Sequence, residues 1–250
     1  MALVTISALN GQEVESFTAS AEEWQQMQLE PPGTYLMPGS RWPAVLKRSI
    51  RGLQFFAHRP GFPGAKSQPE SEDHRAAKLA VVKALRSAGY SAKVEQTGQS
   101  PDGEEWQADV LCTAAGKTIA FEVQLSQQTL QEYRRRTSRY ADAGIAAIWL
   151  VKAPNHFAAL SKALFYEAHQ FNRAVGDRLV FANRDLPLFP LEVDQEGALC
   201  AGSMRIAVPS NNGVRRISIE DFAIGAVEGN LSFADEWTWH DNFLERPTSV

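Results

Sequence analysis

The chain has very little cysteine. Its 250 residues include only Cys112 and Cys200, which stand far apart and match no metal-ligand spacing. This scarcity argues against a disulfide framework and against a cysteine-based zinc site. We expect two reduced thiols in a reducing compartment, and therefore a cytoplasmic protein.

The chain also lacks an excess of positive charge and a long apolar run. It carries 25 Lys and Arg against 29 Asp and Glu, a net charge of −4, so no overall positive field attracts nucleic acid. Any contact with DNA must come from a local basic patch. The longest apolar run, AGIAAIWLV (Ala143–Val151), is too short to span a bilayer, and the first residues do not resemble a signal peptide. We expect no membrane partner.

Proline and glycine divide the chain into three predicted parts of an α/β (α+β) protein. Residues 1–66 are a β-rich region that begins with a hairpin at Asn10-Gly11. Residues 67–152 are the part in which helices and strands are predicted most clearly. Residues 153–250 are an α+β extension, with a helix from Asn155 to Gly176 followed by strand-like runs such as RLVFAN, LPLFPLEV and VRRISIEDF. No chemical motif stands out in this extension, so its role is left open.

The middle part has clear helix and strand signals. Ser67 and Glu70 have capping-box spacing, which predicts a helix over residues 68–88. Three strand-like runs follow, YSAKVEQ, EWQADVLCT and KTIAFEVQL. A second helix is predicted from Ser126 to Gly144, and IAAIWLV is a buried strand by composition.

The last two runs predict a hairpin with a polar face. A turn centred on Ala115-Gly116 places Asp109 opposite Glu122 and Gln107 opposite Gln124. The other face collects apolar residues and is the predicted core. Like charges in opposed positions are destabilising unless a cation lies between them, and Mg²⁺ prefers carboxylate oxygens. An exposed hairpin with an unremarkable acidic pair is the alternative.

The two flanking helices add charged residues. On the first, Glu70 and His74 fall on the inward side one turn apart, and Glu72 points away. The second carries YRRRTSRY, with Arg135, Arg136 and Arg139 around an apolar line, the densest positive charge of the chain. Three alternatives stay open: a capping role for Glu70, a core role for His74, and a solvated arginine face with Glu132 paired to Arg135 or Arg136.

These motifs, taken in order, resemble the PD-(D/E)xK nuclease superfamily and, within it, the competence protein CoiA family. The matching text is FFAH (Phe55–His58), ESEDHRAAK (Glu70–Lys78), ADV (Ala108–Val110), FEVQLS (Phe121–Ser126), RRRTSRY (Arg134–Tyr140) and GIAAIWLV (Gly144–Val151). The resemblance implies a restriction-endonuclease-like core over residues 67–152, made of a helix, a three-strand meander, a helix and a strand.

The resemblance also implies a set of site residues. Asp109 and Glu122 would hold the metal with help from Glu70, and Glu72 is the fallback acid of the first helix. Gln124 takes the position of the usual lysine, which orients or activates the attacking water. An amide neither takes up nor releases a proton near neutral pH, so Gln124 can only position water or phosphate.

Other implied features concern DNA and metals. His74, Arg136 and Tyr140 fall on family-like positions, and together with Arg135 and Arg139 they are the candidate DNA contacts. The family often has a cysteine-bearing, zinc-ribbon-like segment before its HFAH motif, but YLMPGSRWPAVLKRS has no cysteine here. We therefore expect Mg²⁺, with Mn²⁺ as a substitute, and no zinc.

The leading functional prediction is metal-dependent hydrolysis of DNA in recombination or in the uptake of foreign DNA. The alternative is a nuclease-like fold that is weak or inactive and binds DNA or recombination proteins, which the net charge and Gln124 favour modestly. An acidic α/β scaffold without chemistry ranks last because it leaves Asp109 opposite Glu122 unexplained. Assembly into a homo-oligomer is left open.

Overall fold

The computed structural model describes residues 1–64, 70–172, 185–192, 203–208, 213–233 and 237–240. The chain divides into two compact units, Met1–Leu79 and Ala80–Val250, and each is described here by itself. The predicted division into three parts stays a prediction. Predictions that involve Ser67, Gly176 and Cys200 lie outside the described residues.

The first unit is built from short strands around one helix. Its elements are β1 (Val4–Ser7), β2 (Glu13–Glu15), α1 (Ala21–Leu29), β3 (Tyr35–Leu36), β4 (Ala44–Arg48) and β5 (Gln54–His58). The predicted hairpin at Asn10-Gly11 is confirmed: β1 pairs antiparallel with β2, and Gly11 has the positive φ of 71° that a tight turn requires. β4 and β5 form a second antiparallel hairpin. The core of the unit packs Trp24 against Phe56.

Helix α2 (Glu72–Ser87) contains the boundary between the units, and the remaining elements belong to the second unit. They are β6 (Ser91–Gln99), β7 (Glu105–Ala114), β8 (Lys117–Gln124), α3 (Leu130–Asp142), β9 (Ile145–Lys152), α4 (Asn155–Asn172), β10 (Leu188–Glu192), β11 (Ser203–Val208), β12 (Gly213–Ser218), α5 (Ile219–Glu228), β13 (Leu231–Phe233) and β14 (Trp237–Trp239). The nine strands among them form one sheet in the order β13-β14-β11-β10-β9-β8-β7-β6, with β12 paired to β11.

The predicted order of helix, three strands, helix and strand is present. β6, β7 and β8 form an antiparallel meander, and β9 pairs parallel with β8 after the crossover through α3. The alternation of polar and apolar residues predicted these strands because successive side chains of a strand point to opposite faces of the sheet. The chain is therefore a mixed α/β protein, as predicted.

Several predicted boundaries are wrong. Helix α2 begins at Glu72, so Glu70 precedes the helix, and the hydroxyl of Ser71 accepts the N–H of His74 at 3.2 Å. Helix α3 begins at Leu130 and not at Ser126, because Thr129 caps it through the N–H of Glu132. Helix ends depend on which side chain reaches the free N–H groups, and several candidates stood close together in both places.

The extension also corrects one prediction. VRRISIEDF was predicted as a strand, but strand β12 ends at Ser218, whose side chain caps α5 through the N–H of Asp221. LPLFPLEV contains β10 as predicted, and RLVFAN lies outside the described residues. Among the described helices, none is long and apolar enough to cross a membrane.

Strand β8 lies inside the sheet and is covered on both faces. Phe121 and Val123 are buried on one face, and Glu122 and Gln124 are buried on the other, with 1% and 9% exposure. Helix α3 covers this second face, since its Tyr140 packs with Ala120 of β8. The alternative of an exposed acidic hairpin is therefore wrong.

We predict that Gly98→Ala destabilises the second unit. A Cβ built on Gly98 would lie 2.2 Å from Cζ2 of Trp106, whose ring in turn packs against Tyr140 at 5.7 Å between centroids. Overpacking of this kind costs about 1–3 kcal/mol, which urea unfolding would measure. Thr97→Ala, at an exposed neighbouring position, is the control. A Gly98→Ala loss that persists in a Trp106→Leu background would contradict this explanation.

Candidate active site

Asp109 lies at an interruption in the pairing of β7. The pairs with β6 stop at Val110 and resume at Ala108, so Asp109 and the residue opposite it, Glu95, are left out of the ladder. Glu95 has a positive φ of 53°, a conformation that costs a non-glycine residue free energy. Strained backbone of this kind is concentrated at functional sites, so the interruption marks Asp109 for attention.

On the other side of β7, the ladder with β8 ends immediately before Asp109. The predicted register is confirmed from the turn as far as the pair Val110–Phe121, and the predicted pair Asp109–Glu122 is the next position along. There the Asp109 carboxylate accepts the backbone N–H of Val123 at 2.9 Å. A side chain thus accepts a backbone N–H of the next strand, which fixes this carboxylate beside β8.

Glu122 is a buried carboxylate with a donor on each oxygen. Arg136 donates to its Oε2 at 2.5 Å, and the Tyr140 hydroxyl contacts its Oε1. The same hydroxyl lies 2.8 Å from the carbonyl oxygen of Gln107 and, with a single proton, can donate to one acceptor at a time. Burial and the charge of Glu122 raise the pKa of Tyr140, so the phenol stays protonated and remains a donor.

Arg136 is held in place by an aromatic platform. Its guanidinium lies 4.6 Å from the ring centroid of Trp149, and Trp149 packs edge-on against Tyr133 at 4.8 Å and donates its indole N–H to Thr137. Burial is the largest single influence and opposes its charge, but Glu122, Tyr140 and Asp109 together outweigh burial and raise the pKa of Arg136. The guanidinium is therefore favoured by both acids, and it forms its ion pair with Glu122.

Gln124 follows Glu122 by two residues and lies on the same face of β8. Its amide nitrogen donates to the carbonyl oxygen of Ser126 at 3.0 Å and to the Ser126 hydroxyl at 2.8 Å. These two contacts hold the amide toward the segment that leads into α3. The amide oxygen is the only other polar atom that Gln124 can offer to water or phosphate.

Glu70 belongs to the first unit and forms a compact cluster with two neighbours, His74 and Lys78. His74 Nδ1 contacts Oε1 of Glu70, and Lys78 Nζ lies 2.6 Å from the same oxygen. Burial would raise the pKa of Glu70, but the hydrogen bond from His74 and the charge of Lys78 outweigh it and lower that pKa. Glu70 is therefore an ionised carboxylate that is mostly buried.

This cluster has the donor types that suit a divalent ion. Glu70 and His74 offer ligand atoms within 4.8 Å of each other. The second oxygen of Glu70, Oε2, is buried and has no hydrogen-bond partner within the described part of the chain. A buried carboxylate oxygen without a donor is costly, and a cation would satisfy it.

Glu72, the fallback acid, has a different place. It accepts from the Ser49 hydroxyl and from the backbone N–H of Arg51 at 3.2 Å, both in the turn between β4 and β5. It therefore anchors that turn to the start of α2. Of the two acids of the first helix region, Glu70 is the one whose surroundings suit a ligand.

The arginines of α3 are engaged within the protein. Arg135 pairs with Glu132 at 2.7 Å, which confirms the alternative of a solvated face for this residue. Arg139 donates to the carbonyl oxygen of Glu105, and Arg134 pairs with Glu167. Arg136 and Tyr140 point inward to Glu122, and Tyr140 is 1% exposed. Tyr140 is therefore a partner of Glu122 and not a surface contact for DNA.

Two residues that contact the candidate site residues, Lys78 and Trp149, were not predicted from the sequence. Lys78 stands four residues after His74 and eight after Glu70, so its place on the same helix face could have been recognised. Trp149 gave no such signal, because its role under Arg136 depends on β9 pairing with β8.

We predict that Arg136→Met destabilises the protein by about 3 kcal/mol, because it leaves the charge of Glu122 buried without its cation. Urea unfolding would measure the loss, and the double variant Glu122→Gln/Arg136→Met should recover part of it. Arg135→Met is the matched control, since its exposed pair with Glu132 contributes less than about 1 kcal/mol. Equal losses for the two single variants would contradict the importance of the buried pair.

The comparisons with known proteins identify one region of the chain. Residues 70–190 match the family model of the competence protein CoiA, nuclease-like domain. No curated protein matches the chain. Among solved structures, it is similar to the crystal structure of a protein of unknown function, AF1548, at 16% identity and a TM-score of 0.27. That similarity covers 42% of this chain and 55% of the other, and a TM-score this low does not inform the fold. The family match leads to one conclusion: residues 70–190 belong to the competence protein CoiA-like family and form its nuclease-like domain.

Proposed function

We propose that this protein is a metal-dependent nuclease that hydrolyses phosphodiester bonds of DNA. The observation that carries the proposal is the pair of carboxylates on neighbouring strands of the CoiA-like domain. Asp109 is tied to the backbone of β8 at Val123, and Glu122 is held from both sides on β8 itself. Carboxylates fixed in this way by hydrogen bonds are typical of sites that bind a cation and orient a phosphate.

The residues fit a hard divalent cation. Mg²⁺ is bound in proteins through one or two carboxylates together with water and substrate phosphate. Asp109 and Glu122 are the proposed ligands, and the family resemblance adds Glu70, whose buried Oε2 lacks a hydrogen-bond partner in the described residues. When bound, Mg²⁺ or Mn²⁺ would polarise the phosphate and lower the pKa of a water molecule.

The other residues of the site have distinct roles. Arg136 and Tyr140 hold Glu122 in one orientation, and each Glu122 oxygen keeps a second lone pair that can face a ligand. Gln124 cannot remove a proton, so it acts by positioning water or phosphate through its amide. His74 shares the Glu70 carboxylate with Lys78 and restrains that ligand.

A second candidate function is a nuclease-like module that binds DNA or recombination proteins without cutting. The hydrogen bonds of two side chains, Glu122 and Gln124, favour it. Both oxygens of Glu122 accept hydrogen bonds from the protein, and the amide nitrogen of Gln124 donates to Ser126. These hydrogen bonds hold the side chains in position, and they leave fewer polar atoms available to a substrate. Roles in recombination or DNA uptake, a cytoplasmic location and homo-oligomerisation stay predictions.

We predict that Asp109→Asn strongly reduces cleavage and leaves the fold intact. Asparagine is close in shape and its side-chain oxygen can still accept the N–H of Val123, so the variant removes charge while keeping the backbone contact. We expect cleavage of single- and double-stranded DNA in Mg²⁺ or Mn²⁺ to fall by about 100-fold or more, as when a group that stabilises developing charge is lost.

The matched control is Asp142→Asn, which removes the same charge from an exposed position at the end of α3. It should cut as fast as the wild type. Cleavage that survives Asp109→Asn, or that is absent from the wild type with every metal and substrate, would contradict the enzymatic proposal.

The choice between the two candidate functions depends on Gln124. We predict that Gln124→Lys increases the cleavage rate by about tenfold or more, equivalent to about 1.4 kcal/mol of barrier. The ammonium can still donate to Ser126, and it adds a positive charge next to the scissile phosphate. Gln124→Met is the control because it has similar length and no polar group. Rates that are unchanged by Gln124→Lys would favour the binding module.

A further inference from the structure

The positive charge of the first unit is concentrated in one hairpin. All five basic side chains among residues 1–64 lie between Arg41 and Arg59, and all five acidic ones lie between Glu13 and Glu30. The β4–β5 hairpin and its flanks therefore carry a local charge of +5 on a chain whose net charge is −4. A local patch of this kind is what an acidic protein needs in order to bind a polyanion.

Most of these cations are available to a ligand. The five are Arg41, Lys47, Arg48, Arg51 and Arg59, and all are exposed. Arg51 pairs with Asp73 at 2.6 Å. Within the described residues, no ion pair reaches the other four. Their charge is not neutralised by a neighbour, and phosphate groups could replace the counterions around them.

The contrast with helix α3 is informative. Its arginines look like the stronger basic patch in the sequence, but Arg134, Arg135 and Arg136 each form an ion pair and Arg139 donates to a backbone carbonyl. Charge that is already paired contributes less to the attraction of a polyanion. The hairpin is therefore the better candidate for phosphate contacts.

Aromatic rings lie at the open end of the same hairpin. Phe62 stacks on His58 with centroids 4.0 Å apart, and Trp42 packs edge-on against Phe62 at 5.7 Å. The Trp42 indole N–H donates to the carbonyl oxygen of Arg59 at 3.0 Å, which holds the ring beside a cation. Trp42 and Phe62 are half-buried, so part of each ring remains accessible.

We propose that the hairpin surface, defined by Arg41, Trp42, Lys47, Arg48 and Arg59, binds single-stranded nucleic acid. Rings and cations on one hairpin suit unpaired bases, because a base can stack on a ring while the neighbouring phosphates contact the cations. A duplex keeps its bases stacked on one another and cannot use the rings in this way. No metal is needed, and the surface is independent of the carboxylates assigned to cleavage.

The test measures binding of fluorescent (dU)25 and (rU)25, which differ only in the sugar, to the full chain in EDTA at several salt concentrations. For Arg41→Ala/Arg59→Ala we expect weaker binding, and a dependence of log K on log salt that is less steep by about 1.4, at about 0.7 per lost phosphate contact.

For Trp42→Ala we expect about a fivefold or larger loss of affinity with little change in that dependence on salt. Trp42→Phe, which keeps a ring, should bind nearly as the wild type does. The oligonucleotide that the wild type binds more tightly identifies the sugar that is preferred.

Two controls separate this proposal from others. Lys117→Ala/Lys152→Ala removes the same charge from exposed positions of the second unit and should leave affinity and salt dependence unchanged. Asp142→Asn, at an exposed position of the second unit, should also bind as the wild type does, and EDTA excludes cleavage. The proposal is overturned if the hairpin variants match the lysine control, as expected for a surface that binds a protein partner, or if the wild type binds neither oligonucleotide.

Discussion

The second unit depends on one buried charge pair, between Glu122 of β8 and Arg136 of α3. An ionised carboxylate inside a sheet is tolerated only with a cation and further donors, and Arg136 and Tyr140 provide both. Both donors come from α3, so the pairing fixes how this helix lies on β8 and β9. Trp149, which faces Glu122 across the parallel pair, completes the arrangement by supporting the guanidinium. A sheet position that could have held an apolar residue is in this way used to orient a carboxylate.

This orientation has a consequence for chemistry. Asp109 reaches the same region from β7, where the ladder with β6 is interrupted, the ladder with β8 ends and Glu95 has a strained backbone. The interruption allows a side chain to accept the N–H of Val123 in place of a backbone carbonyl. The two acids are therefore restrained by different means, one by backbone pairing and the other by two side chains. Restraint of this kind reduces the reorganisation that a reaction requires, and it also suits a surface that only binds.

The distribution of positive charge follows a similar division. The arginine-rich helix uses its cations internally, for the buried Glu122 and for surface acids. The β4–β5 hairpin and its flanks keep four exposed cations, and a cluster of rings lies at the open end of the hairpin. The density of basic residues in the sequence is thus a poor guide to where a polyanion can bind, because it does not show which cations are already paired.

The sequence by itself determined strands β6 to β9, the turn at Ala115-Gly116 and the register of β7 with β8, because alternation and turn geometry are local properties. The four-residue separation of Glu70 and His74 also indicated their contact, although Glu70 precedes the first turn of α2. It did not determine the start of α2 or α3, where several capping residues compete.

Tertiary structure alone decided that the polar face of the hairpin is covered, that Tyr140 is buried and that Trp149 supports Arg136. These facts depend on α3 and β9 packing against β8, which brings together residues far apart in the chain. Whether a polar side chain faces solvent or a buried partner is a property of that packing and not of its own segment.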